Sequence, residues 1–531
     1  MFISDVLTKE IERWEAGSEV MIQAPTGSGK TTFILEKLLP FALKNEREIL
    51  YLSNRKILHA QLIKALCSMY SIPFDYMKDE KIAEFRGITV MTYQTLQELI
   101  RGKWDASPIR FFYYIVCDEI HYITEDSAFN PKIPRFLNWL KIVRREVLIA
   151  ISATIEPALP YLGIFEGGIL REWEEDYGTV YLCGAKSNLD KVQGKINFVF
   201  IYSIPGEKQQ YNIKIYANVE ELVDVINGDE GDKKWLIFQA NKERANEIKR
   251  KLNKPSVLVT ADDKKSKSVK EIIENNKFSE KILLATKVID NGVNICDPQL
   301  ENIVLDTISK TEFLQMLGRR RKQSQDEVID LYLPKLSSNY FNSVLIRSIY
   351  PEMELIEKSE YILRERIFCF PEEYKICRRY FDMEEGRLIL NPIVKDSLKR
   401  KKDFCEKMKR KLEYDEFAFV KEQLKWLDLE DEFSEIQVLP QNRKNKANIE
   451  LDILLKSLKD KEIDKEHQEE FRKTMTEVLL LLLPEDKRRK DRAFGLKVLN
   501  QLLEKLQRKE RIISISGKQE GEKTRWKIVE K

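Results

Sequence analysis

One octapeptide constrains this chain more than any other feature: Ala24-Pro25-Thr26-Gly27-Ser28-Gly29-Lys30-Thr31. A short apolar run, Glu19–Gln23, precedes it, and a helical pattern follows it. Gly27 and Gly29 let the backbone curl, so that consecutive N–H groups, from Thr26 through Lys30, can point at phosphate oxygens. The helix that follows adds the positive end of its dipole. Lys30 is then placed for the β and γ phosphates of a nucleotide, and the Thr31 hydroxyl for Mg2+. Such a loop needs a strand before it and a helix behind it, so the chain opens in an α/β fold. Ala24 stands where this pattern normally has its first glycine.

Residues 18–335 continue in that style, with short apolar runs alternating with helical stretches. Expected strands are Glu19–Gln23, Glu48–Leu52, Ile88–Met91, Tyr113–Cys117 and Val147–Ile151. A second set is Trp235–Phe238, Ser256–Val259, Lys281–Ala285, Glu301–Leu305 and Val328–Tyr332. Two parallel sheets joined near residues 184–195 follow. In the first set, each strand is trailed by unusual polar residues: the octapeptide, Ser53-Asn54-Arg55, Thr92-Tyr93-Gln94, Asp118-Glu119-Ile120-His121 and Ser152-Ala153-Thr154. Doubly wound sheets bind ligands beyond the carboxyl ends of their strands, so one sheet edge collects all of these residues.

Composition removes several classes. The 531 residues carry 90 basic and 87 acidic side chains, a net charge of +3, which excludes a histone-like polycation. Nucleic acid stays open through local patches, because patches set the field in a groove. The longest apolar run, Val478–Leu483, is far short of the ~20 residues a bilayer span needs. The opening MFISDVLTKE lacks the basic and apolar regions of a signal peptide. Seven scattered cysteines and three histidines build neither a disulfide framework nor a zinc site. The expectation is a cytoplasmic protein of three or four domains with no membrane segment, acting as a monomer.

Asp118 and Glu119 end an apolar strand pattern at the same sheet edge. One carboxylate can hold hydrated Mg2+ and the next, pointing elsewhere, can take a proton from an attacking water. Ala24–Thr31, Asp118–His121, Ser152–Thr154 and Gln315–Lys322 together resemble motifs I, II, III and VI of superfamily 2 helicases, with the DEIH spelling of the DExH branch. The resemblance spans about residues 1–335. Trp235–Lys242 resembles motif IV, and Ala285–Ile295 resembles motif V, where Thr286 meets the nucleic-acid backbone and Gly292 lies near the nucleotide.

That resemblance implies two tandem RecA-like domains, residues 1–190 and 191–335, with ATP and Mg2+ bound between them. It also implies a nucleic-acid strand crossing both, and hydrolysis driving translocation or unwinding. Motif VI usually reads Q-R-x-G-R-x-G-R; here Met316, Arg321 and Lys322 replace its first arginine, second glycine and last arginine. Arg319 is the implied arginine finger, worth roughly 10³–10⁵ in rate in related phosphoryl transfers. Arg321 or Lys322 supplies the second cation, and Gln315 senses the γ-phosphate. His121, Ser152 and Thr154 are the expected coupling residues. Arg55, Thr92, Tyr93, Gln94 and Thr286 are the expected strand contacts, suited to sugar and phosphate rather than to base sequence.

Residues 336–531 change to charged, leucine-rich helices. Phe494, Val498, Leu499, Leu502, Leu503 and Leu506 form one helical face, and Arg511–Ser516 and Thr524–Val529 form a hairpin, a winged-helix-like ending. The basic runs Lys399–Lys402, Lys407–Lys411 and Lys487–Lys490 read as solvated faces, and Phe404, Tyr414, Phe417, Phe419 and Trp426 as core. The function expected is an ATP-dependent helicase on single-stranded DNA, or on RNA, moving 3′ to 5′. The motif VI spelling and Asp126–Asn130 resemble helicases of bacterial phages and mobile elements, with replication or defence partners. Two alternatives stand beside it: a duplex translocase serving a separately encoded nuclease, and a non-hydrolysing scaffold.

Overall fold

A computed structural model describes residues 2–100, 111–142, 147–166, 168–184, 197–206, 209–260, 276–286, 295–321, 327–365, 377, 379–384, 387–438, 443–459, 461–483, 493–515 and 524–530. The chain divides into two compact units. One comprises Met1–Ile213 and Ile226–Ile436, and the other Lys214–Val225 and Gln437–Lys531.

The first unit holds both RecA-like sheets. Its first sheet comprises β1 (Glu19–Gln23), β2 (Ile49–Ser53), β3 (Ile82–Phe85), β4 (Ile88–Thr92), β5 (Tyr114–Asp118), β6 (Val147–Ser152), β7 (Ile169–Glu175), β8 (Gly178–Cys183) and β9 (Asn197–Ser203). Their order is β3-β4-β2-β5-β6-β1-β9-β8-β7. From β4 to β9 all pairings are parallel, and antiparallel strands close both edges. The central strands are apolar on both faces. Val20 and Ile22 of β1 point into one buried cluster with Phe33, Ile34 and Leu38, while Met21 joins another with Phe136 and Leu140. Two covered faces are what a parallel sheet requires.

All five strands expected in this half are present. The sequence did not reveal β3 or β7 to β9. β7 reads Ile-Leu-Arg-Glu-Trp-Glu-Glu and is mostly exposed, so it carries no apolar signal. Because β9 pairs with β1, this sheet continues past the boundary expected at residues 190–191.

After β10 (Gln210–Tyr216), which runs across the division between the units, the second sheet is built from β11 (Lys234–Gln239), β12 (Ser256–Val259), β13 (Ile282–Ala285), β14 (Leu300–Asp306) and β15 (Val328–Pro334). The order within the first unit is β12-β13-β11-β14-β15, entirely parallel. Each is a strand expected from the sequence.

Two helices widen by one turn for a common reason. The helix that begins at Lys30 has a π-turn at Ile34–Leu38 just before Pro40, and the one beginning at Ser338 has a π-turn at Leu345–Ile349 just before Pro351. Proline has no N–H to donate and its ring crowds the preceding turn, and the wider turn accommodates both.

In the rest of the first unit, β16 (Phe381–Glu384) and β17 (Arg387–Leu390) form a hairpin, and the 20-residue helix Pro392–Lys411 follows. At ~1.5 Å per residue that helix is about 30 Å long. Its first turn places Ile393 in the core of the first RecA-like domain. Its far end places Cys405 and Met408 among Phe341, Phe419 and Trp426, and Trp426 packs edge-on against Phe313 of the second domain. The helix therefore packs on the first motor domain directly and reaches the second through Trp426. Phe404, Phe417, Phe419 and Trp426 pack as expected, whereas Tyr414 is exposed.

In the second unit, β18 (Gln437–Val438) pairs with the end of β10. Helix Arg443–Ser457, β19 (Glu462–Ile463), helices His467–Leu482 and Leu496–Lys505, β20 (Glu510–Ile515) and β21 (Arg525–Glu530) come next. The order β19-β21-β20 is that of a winged helix. Leu499, Leu502 and Leu503 close its core. The run Lys487–Lys490 lies outside the described residues. No helix among the described residues is long and apolar enough to cross a membrane.

Candidate active site and strand cleft

The octapeptide forms the turn between β1 and the helix starting at Lys30. Gly27 and Gly29 have φ of 94° and 81°, a region only glycine enters without cost. Ala24 keeps an ordinary φ, its N–H donates to the Ser152 carbonyl at 2.9 Å, and its methyl is fully buried. The loop therefore does not need the glycine that usually stands there.

Asp118 ends β5 with both carboxylate oxygens engaged. Tyr51 Oη donates to Oδ2 at 2.8 Å and the Glu119 N–H donates to Oδ1 at 3.1 Å. Burial pushes the Asp118 carboxyl upward and the charge of Glu119 adds to it, against Lys30. Burial, with Asp118, also pushes the Tyr51 phenol far up, which keeps it a donor. Tyr51 thus holds Asp118, which with Thr31 is expected at the metal. Among the described residues no group of three His, Cys, Asp or Glu side chains could hold a metal alone. One carboxylate and one hydroxyl fit a Mg2+ ion whose other ligands are phosphates and water.

Glu119 has φ of 50°, the left-handed region that a non-glycine residue enters at a cost of roughly 1–3 kcal/mol. This turn sends its carboxylate to the octapeptide. Lys30 Nζ lies 2.9 Å from Oε1, while the buried Oε2 has no hydrogen-bond partner and is 3.3 Å from His121 Nδ1. Burial alone would raise this carboxyl, but Lys30, His121 and Arg319 together hold it well below the usual range. An ionised carboxylate with one free oxygen, next to a phosphate loop, is chemically a proton acceptor.

The second domain supplies its cations to the same place. Helix Lys310–Leu317 is capped by Ser309 and ends at Gly318. A Cβ on Gly318 would strike Thr26, and one on Gly27 would lie 2.7 Å from an Arg321 guanidinium nitrogen. Motif VI and the phosphate loop therefore meet. Arg319 is buried, its charge acts on Glu119, and its Nε has no partner. Arg320 turns away into an ion pair with Glu327. Met316, in place of the usual arginine, fills the core. Of the two candidates for the second cation, Arg321 faces the loop; Lys322 lies outside the described residues, as does Gly292.

The three expected coupling residues are in contact. His121 Nδ1 is 2.9 Å from Ser152 Oγ, which donates to the Thr154 carbonyl and accepts from the Thr154 N–H. Gln315 Nε2 is 2.5 Å from His121 Nε2, and Thr154 Oγ1 is 3.3 Å from Thr311 Oγ1. Burial lowers the His121 pKa, and the nearby charge of Glu119 opposes that shift. Tyr51 and Thr311 were not recognised from the sequence.

Residues 3–157 match the family model described as type III restriction enzyme, res subunit. The chain carries a superfamily 2 helicase domain. It is accordingly an ATP-hydrolysing enzyme. Two solved structures are similar to part of the chain. One is Saccharomyces cerevisiae Dbp5 bound to RNA and ADP BeF3, 14% identical, covering 60% of this chain and 78% of that one, with a TM-score of 0.38. The other is the Mycobacterium smegmatis helicase Lhr bound to ssDNA and AMP-PNP, 14% identical, covering 62% and 45%, with a TM-score of 0.39.

On the helicase domain's other side, a cleft of about 560 Å³ is lined by residues of both RecA-like domains, among them Arg55, Gln94, His121, Phe129 and Gln315. Two of the expected strand contacts belong here. Arg55 pairs with Asp126 at 2.9 Å, and Gln94 is exposed and donates to Asn54. Two do not. Tyr93 is completely buried, stacked on Tyr122 with centroids 4.0 Å apart, and its hydroxyl donates to the Asp118 carbonyl. The Thr92 hydroxyl is spent capping the helix Tyr93–Leu99. Neither is free to meet a strand. Thr286 stands at the end of β13, its N–H donating to Val259, partly exposed. Phe129 and Asn130 had been noted only as part of a spelling.

Proposed function

We propose that this enzyme hydrolyses ATP between its two RecA-like domains and uses the cycle to move along nucleic acid and unwind it, with DNA the favoured track. One observation carries the reading: the phosphate loop, a carboxylate with an unpartnered oxygen, and two arginines from the second domain converge on one spot. A scaffold that merely bound nucleotide would have no use for the orphaned Oε2 of Glu119.

Thr31 and Asp118 would hold Mg2+, which would supply positive charge to the phosphates. Lys30 pairs with Glu119, and phosphate oxygens compete for that ammonium group. Nucleotide binding therefore frees Glu119 to accept a proton from water, while the left-handed backbone keeps its carboxylate aimed. Arg319 and Arg321 neutralise charge that develops on the transferred phosphoryl group. Gln315, His121 and Thr154 pass the presence of that group from one domain to the other. Arg55, Gln94 and Thr286 take the strand, and the region after residue 335 is an accessory domain.

The matching family is described as a restriction-enzyme subunit. That description favours DNA and a second reading, a motor that travels on duplex for a separately encoded nuclease. The test is the steady-state ATPase rate with no polymer, single-stranded DNA, single-stranded RNA or duplex DNA at fixed salt. Stimulation by a single strand, followed by opening of a tailed duplex, supports the helicase. Stimulation by duplex alone supports the translocase, and no hydrolysis at all overturns both.

A further inference from the structure

Phe129 is 78% exposed, although it sits on a loop that is held on every side. Its own N–H and that of Asn130 both donate to the Asp126 carbonyl at 2.9 Å. Ser127 Oγ donates to Thr124, and Asn130 Nδ2 donates to Gln97. Asn391, which arrives from the far end of the chain at the start of helix Pro392–Lys411, then closes the loop. Its Nδ2 donates to the Ser127 carbonyl at 3.2 Å and to the Asn130 carbonyl at 3.3 Å, bracketing Phe129. The buried pair Arg135–Asp382 fastens the neighbouring β16–β17 hairpin to the same domain. A solitary exposed phenylalanine is ordinary; one carried on an anchored backbone at the mouth of an interdomain cleft is a presented surface.

The lining of that cleft says what the surface meets. Arg55 and Lys132 stand against four carboxylates, those of Glu98, Glu125, Asp126 and Glu312, and the two cations are already paired to Asp126 and Glu98. Away from Arg55, this acidic balance disfavours a phosphate backbone. It suits the uncharged, flat, amide-bearing part of a nucleotide, and an aromatic face with the nearby amides of Gln94 and Asn130 is the chemistry that receives it. The same lining contains His121 and Gln315, so an occupant would touch the residues that link the two domains.

We propose that Phe129 is the stacking platform for one unpaired nucleobase of the bound strand, and that Asn391 is the positioning residue that keeps it presented. The inference rests on the strand-dependent function proposed above. It assigns the C-terminal region a task inside the motor: holding the loop that follows the catalytic carboxylates.

The test compares an intact single-stranded oligonucleotide with one of equal length made of abasic sugars, by fluorescence anisotropy on the full chain, with the strand type that stimulates the ATPase. Base stacking is worth ~1–3 kcal/mol per base, so the wild type should prefer the intact strand by roughly 5- to 100-fold. Phe129→Ala should lose most of that preference, and Phe129→Trp should keep it. Asn391→Asp retains the oxygen that caps Ile393 but turns a buried donor into a carboxylate facing two carbonyls, which costs stability; measured at a temperature where circular dichroism shows the variant folded, it should lower the preference. Equal binding of intact and abasic strands by a wild type that is strand-stimulated overturns the inference and leaves the function standing. A Phe129→Ala preference equal to wild type overturns it as well, and a wild-type preference in Asn391→Asp removes the positioning role. A wild type stimulated by no polymer overturns the function itself.

Discussion

The segment that begins at Asp118 has two ends with opposite designs. At its start, Asp118 is buried and Glu119 partly buried, both surrounded by charge: Lys30 and Arg319 act on Glu119, while Tyr51 and a backbone N–H hold Asp118. At its end, Phe129 is exposed in a cleft rich in carboxylates. Eleven residues apart in sequence, they serve one charged ligand and one flat, uncharged one. Between them His121 contacts Gln315 of the second domain, so events at either end meet at the same domain contact. The arrangement separates chemistry from track while leaving a single short route between them.

The most severe break at the charged end is Arg319→Ala. Removing an arginine finger should reduce strand-stimulated hydrolysis by roughly 10³- to 10⁵-fold while ATP still binds, as read by single-turnover ATPase and nucleotide titration. If only strand affinity falls, Arg319 belongs to the track and the two ends are less distinct than drawn.

Next comes Glu119→Gln, which removes the proton acceptor and keeps shape. Turnover should fall by roughly 10²- to 10⁴-fold, with ATP and strand binding retained. Because Lys30 loses its ion-pair partner in this variant, ATP affinity should rise rather than fall. Near-normal turnover would mean that another group takes the proton.

Tyr51→Phe probes the support beneath the carboxylates. A hydrogen bond to a charged group contributes ~1.5–3 kcal/mol, so the Mg2+ concentration giving half-maximal ATPase should rise by roughly 10- to 100-fold. An unchanged Mg2+ requirement would reduce Tyr51 to core packing.

How much of this was legible follows the same division. The charged end is contiguous: its loop, its carboxylate pair and its arginines are short strings whose chemistry forces their order, and the parallel centres of both sheets follow from apolar runs. Tyr51 was hidden because Ile49-Leu50-Tyr51-Leu52 reads as core, and nothing in one strand says that a phenol reaches a neighbouring strand's aspartate. Met316 and Arg321 departed from the family spelling, and only packing shows that one fills a core while the other faces the loop. The uncharged end is assembled from distant pieces. Asn391 lies some 260 residues from the loop it holds, and no local pattern announces that contact.

The smallest expected effect is also the one that tests helix phase. Tyr93 and Gln94 are neighbours on a helix, about 100° apart around its axis. The sequence offers both to the strand; the fold buries Tyr93 against Tyr122 and Phe136 and leaves Gln94 in the cleft. Tyr93→Phe removes only the hydrogen bond to the Asp118 carbonyl, which should cost ~0.5–1.5 kcal/mol of stability in denaturant unfolding. Strand affinity measured beside it should match wild type. Gln94→Ala should do the reverse, weakening the strand by a few fold with no loss of stability, since its one amide contact to Asn54 is long at 3.4 Å. A Tyr93→Phe variant that bound strand poorly while folding normally would put the hydroxyl on the track, and would require the Tyr93–Tyr122 stack to open when the strand arrives.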